Sequence, residues 1–62
     1  MSVRRVHSVK VTEQRAREIV YAYLKFDAPE LTMEMVNRYT ISEVKEVLKQ
    51  FNQSATNKIY IR

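Results

Sequence analysis

The stretch Leu31–Phe51, LTMEMVNRYTISEVKEVLKQF, decides how this chain folds. Apolar residues recur in it at steps of three and four on both sides of a polar break at Thr40. Leu31, Met35, Val36 and Tyr39 form one stripe; Ile41, Val44, Val47, Leu48 and Phe51 form a second. Thr40-Ile41-Ser42-Glu43 is a capping box, with a hydroxyl to accept the third N–H of a new helix and a carboxylate to reach back. The spacing therefore predicts two short amphipathic helices, over 30–39 and 41–52, joined by almost no loop. Neither can bury its stripe alone, so a third element must cover both.

That element lies upstream. Thr12 is a good N-cap and Glu13 suits the first turn of a helix. The segment EQRAREIVYAYLKF then puts Ala16, Ile19, Val20, Tyr23 and Leu24 on one stripe, with Arg15, Arg17, Glu18, Tyr21 and Lys25 facing outward, which predicts a helix over 13–26. Pro29 ends it by disfavouring helical geometry at Ala28. Helix two has two candidate starts, Asp27 or Thr32 as N-cap. At the ends, residues 6–11 and 58–62 read as short strands, Ile59 and Ile61 alternating with Lys58, Tyr60 and Arg62. A strand this short is unstable alone and must pair, and each end offers the other its partner. The expected fold is mostly α with a small β-ribbon, in the order β-α-α-α-β, as one domain preceded by a basic arm at 1–5.

Composition excludes several classes of function. At 62 residues the chain is near the lower limit for a core without a staple, and it has no cysteine, hence neither disulfides nor thiolate metal sites. Glycine is absent as well, which removes phosphate-cradling loops and leaves Asn37, Asn52 and Asn57 for any turn that needs a positive φ. With no apolar run of membrane-spanning length and no leader-like opening, the expectation is a cytoplasmic protein. His7 is the lone histidine, and Thr40 and Ser42 are explained by capping. No enzyme activity, cofactor or metal is expected.

The placement of charge carries the functional signal. The chain has a formal net charge of +4. Residues 1–12 hold Arg4, Arg5 and Lys10 and no acid; residues 57–62 hold Lys58 and Arg62 and no acid. The segment between carries six bases against all seven acids. Paired ends would thus make one basic edge on a balanced body, attractive to polyanions. The plainer account is a pair of soluble strand ends kept from edge-to-edge pairing by their charge. Of the tyrosines, Tyr23 and Tyr39 are expected in the core, and Tyr21 and Tyr60 at the surface. Met33 lies off the main stripe, where exposure would favour a protein contact.

Leu31-Thr32 opening helix two, Met35 and Val36 within it, Tyr39-Thr40-Ile41-Ser42 leading into a third helix, and Val44, Val47, Leu48 and Phe51 along that helix form a pattern that resembles the winged helix-turn-helix group of DNA-binding domains. The likeness spans residues 13–62. It is similar in kind to the small accessory regulators of phages and mobile elements. The resemblance implies that helix three faces the major groove, with Lys45, Lys49, Gln50 and Asn52 as candidate contacts. Arg4 and Arg5 as an arm, and Lys10, Lys58, Tyr60 and Arg62 on the ribbon, would follow the backbone or enter a minor groove. Arg38, near the end of helix two, completes the candidate set.

The expected function is binding of double-stranded DNA in the regulation of transcription or recombination, as a monomer or, by preference, a homodimer. The alternative is a protein-binding module, such as an antirepressor or an inhibitor of a host enzyme, that binds no DNA.

Overall fold

The computed structural model describes residues 7–62, His7 through its backbone alone. The expected basic arm with Arg4 and Arg5, and Val6 of the expected first strand, lie outside the described residues. The observed order is β1 (His7–Val11), α1 (Glu13–Lys25), α2 (Met33–Asn37), α3 (Ile41–Ser54) and β2 (Asn57–Ile61). The β-α-α-α-β order and the pairing of the terminal strands are as the sequence leads one to expect.

Each helix opens on a threonine. The hydroxyls of Thr12, Thr32 and Thr40 accept the backbone N–H of Arg15, Met35 and Glu43. At Thr40 the box is complete, because Glu43 Oε1 in turn accepts the Thr40 N–H at 2.8 Å. Thr40→Ala is expected to cost about 1 kcal/mol of unfolding free energy in urea titration.

Helix two is shorter than the predicted 30–39, for a local reason. The Leu31 N–H donates to the Ala28 carbonyl at 2.9 Å, so Ala28-Pro29-Glu30-Leu31 closes a β-turn with proline at its second position. The helix can begin only after Thr32. Its exit is tight too, with the Arg38 and Tyr39 N–H groups reaching back three residues to Met35 and Val36. Helix three runs past the predicted end to Ser54. The described residues contain no positive φ; α3 ends instead on an extended Ala55.

Ala16 and Val20 of α1, Leu31, Val36 of α2, and Val44 and Leu48 of α3 form the buried core. Fully burying one of these valine or leucine side chains stabilises by roughly 1.5–3 kcal/mol, so this small set is what the helices share. Short elements shift two apolar positions outward: Met35 and Ile41, both assigned to stripes, are exposed, while Met33 packs against the core instead. Tyr23 is also partly exposed, its ring edge-on to Phe51 at 5.5 Å, whereas Tyr21 packs against the core with its hydroxyl bonded to Lys25 Nζ.

Arg17, expected to face solvent, is largely buried, its side chain 12% exposed. Its Nη1 donates to the carbonyls of Val36 (2.9 Å) and Tyr39 (2.8 Å), while Nε and Nη2 hold Glu13. One guanidinium thus ties α1 to the end of α2 and to the turn into α3.

The two strands are parallel, in the register His7↔Asn57 through Val11↔Ile61. Parallel strands cannot be joined by a hairpin, and here the whole helical body is the crossover. The ribbon is therefore not a hairpin wing. Val11, Ile59 and Ile61 pack on the core, while the opposite sheet face carries Ser8, Lys10, Lys58 and Tyr60.

Candidate nucleic-acid interface

Helix three presents different chemistry around its circumference. At 3.6 residues per turn, Lys49 lies about 40° round from Lys45 and Gln53 about 40° further, whereas Glu46 and Glu43 lie about 100° and 160° away from Lys45. Lys45, Lys49 and Gln53 consequently form one stripe, and that stripe faces β2. Between them runs a groove of about 480 Å³, also lined by Leu48, Tyr60 and Ile61. No carboxylate lines it.

One end of the groove is fixed by Asn52. Its Nδ2 donates to the Ile59 carbonyl and its Oδ1 accepts the Ile59 N–H, both at 2.9 Å. The side-chain amide stands where the next strand would, satisfying the backbone of β2 at the middle of its free edge. Lys58 works alongside. Its Nζ donates to the carbonyls of Asn52 and Ala55, placing a cation on the orphan carbonyls at the end of α3.

The eleven candidate residues therefore part company. Arg4 and Arg5 lie outside the described residues. Asn52, expected as a contact, is buried and committed to Ile59, and Lys58 is half-buried with its ammonium turned to α3. Their roles here hold β2 in place. Arg38 is exposed but sits 3.8 Å from Glu34, away from the groove. Lys45 and Lys49 are exposed at the groove, and Tyr60 joins the groove to the sheet's polar face, where its register partner is Lys10. Arg62 is exposed and prolongs the ribbon, its N–H donating to the Val11 carbonyl at 2.9 Å. Gln50 is exposed on α3 outside the groove lining. Gln53 was not among the candidates, because its place on the stripe depends on helix three continuing past Asn52.

The charges are sorted by element. Among the described residues the ion pairs are Arg15–Glu18, Arg17–Glu13 and Arg38–Glu34, all within α1 or at α2. None involves Lys10, Lys45, Lys49, Lys58 or Arg62, and residues 1–6 contain no side-chain carboxylate to supply one. The arrangement leaves a cationic face over α3 and the ribbon.

No described helix is long and apolar enough to cross a membrane. Among the described residues, no three His, Cys, Asp or Glu side chains are grouped to hold a metal ion. Comparison with protein-family models, curated proteins and solved structures gave no match.

Proposed function

We propose that the chain is a small double-stranded-DNA-binding regulator of transcription or recombination, docking through the cationic face of α3 and the ribbon. The observation that carries this reading is the carboxylate-free stretch from Lys45 and Lys49 across Tyr60 to Lys10, beside a body whose other arginines are mostly paired with acids. Free lysines on such a face neutralise phosphates and release counterions. Tyr60 offers a ring and a hydroxyl next to them. Arg62 adds charge to the same ribbon, and in sequence Arg4 and Arg5 precede β1.

The test is duplex binding measured by fluorescence anisotropy over a range of salt concentrations. The logarithm of affinity should fall linearly with the logarithm of salt, by about 0.9 per phosphate neutralised. Lys45→Ala with Lys49→Ala should reduce that slope by about 1.8, the share of two contacts. A salt-independent response, or an unchanged slope in the double variant, contradicts the proposal.

A second reading, as a protein-binding module, is supported by Phe26, which follows α1 and is 89% exposed. A side chain of that size in water suits a partner's pocket. Absence of duplex binding, with a partner lost on Phe26→Ser, would favour it.

A further inference from the structure

The groove between α3 and β2 has a feature that docking on a duplex leaves unused. Its cationic rim suits phosphate, yet its floor is the outer side of the core, formed by Leu48, Ile59 and Ile61. A phosphodiester backbone held at the rim would leave that floor wet.

We propose that the groove is a binding site for a small amphiphilic anion, an aliphatic or aryl carboxylate whose apolar body lies on Leu48, Ile59 and Ile61 and whose head meets Lys45 and Lys49. Three observations select this occupant. The volume, about 480 Å³, falls within the range of roughly 300–1,000 Å³ usual for small-molecule sites. The charge is one-sided: lysines line the groove and no carboxylate does, so an anion is attracted and a cation of the same shape repelled. The edge of β2 is blocked, because Asn52 occupies both backbone groups of Ile59. A peptide strand cannot add along an edge interrupted at its middle, since a single remaining residue is too short to pair. By the alternation of a strand, Ile61 turns its N–H to the same edge as Ile59, which places one further donor beside the lysines.

The proposal is tested on the full chain by amide chemical-shift titration with decanoate, using decyltrimethylammonium and acetate as comparators. Decanoate should move the resonances of Lys45, Leu48, Lys49, Tyr60 and Ile61 and bind at least about tenfold more tightly than either comparator. Lys45→Gln with Lys49→Gln changes only exposed side chains, so the fold is retained, and it should weaken decanoate by about tenfold while leaving the dispersion of the spectrum intact. Equal affinity for the cationic analogue, shifts centred on Phe26 and Met35, or no saturable shift would overturn it. No nucleic acid is present in this titration, so its outcome is independent of the duplex experiment.

Discussion

Asn52→Ala is expected to lower the unfolding free energy by about 2–3 kcal/mol, one of the two largest losses from a single polar substitution in this chain. The wild-type amide makes two hydrogen bonds with one residue, donating to the Ile59 carbonyl and accepting its N–H. Removing it strips both backbone groups of their partner at once. Each buried orphan costs about 1–3 kcal/mol, and water entering from the groove recovers part of that. Asn52→Asp sharpens the expectation. A carboxylate keeps the acceptor for the N–H but sets a second oxygen against the Ile59 carbonyl, so it should destabilise at neutral pH despite its near-identical shape. For a chain of this length the whole stability is roughly 3–9 kcal/mol, so either variant should move the urea midpoint substantially. A midpoint within error of wild type for both would mean that Asn52 does not hold β2.

Arg17→Met should cost a similar amount, about 2–3 kcal/mol, through a different junction. Methionine keeps the apolar stem and removes the fork. The Val36 carbonyl retains the Tyr39 N–H as a partner, but Tyr39 loses the guanidinium that its own carbonyl accepts from. The link from α1 to the turn before α3 is cut at a site where the side chain is 12% exposed. Arg17→Lys should fall between the two, since a single ammonium cannot reach both carbonyls and also grip Glu13 as the planar fork does. Urea unfolding of the three proteins side by side checks the order Arg, Lys, Met; a lysine variant as stable as wild type would show that the fork geometry is dispensable.

Asn52 and Arg17 also mark where the sequence stops being informative. The helices were legible because threonine caps and three-four spacing are local signals, sensed within one turn. Strand pairing was legible because two short strands at opposite ends had no other partner. Its parallel sense was not, and only the observed register shows it. By contrast, a polar side chain on an outward-reading face shows nothing of a carbonyl or strand edge that tertiary packing brings to it. Arg17 read as solvent-facing and Asn52 and Lys58 as contacts for that reason. The short helix two had the same origin: proline at position 29 fits a first helical turn and a β-turn alike, and only the Ala28–Leu31 hydrogen bond decides. Of the candidate set, Lys45, Lys49 and Tyr60 line one groove and Lys10 is the register partner of Tyr60; the helical spacing of the two lysines was readable in advance, the strand register was not.

On the proposed function, polyanion meets this protein on the carboxylate-free face of α3 and the ribbon. Amide and side-chain chemical-shift mapping with a short duplex tests it most directly. The largest changes are expected at Lys45, Lys49, Gln53, Tyr60, Lys10 and Arg62, with Arg15, Arg17 and Arg38 nearly unmoved. Changes concentrated on α1 and α2, or none at low salt, would contradict it.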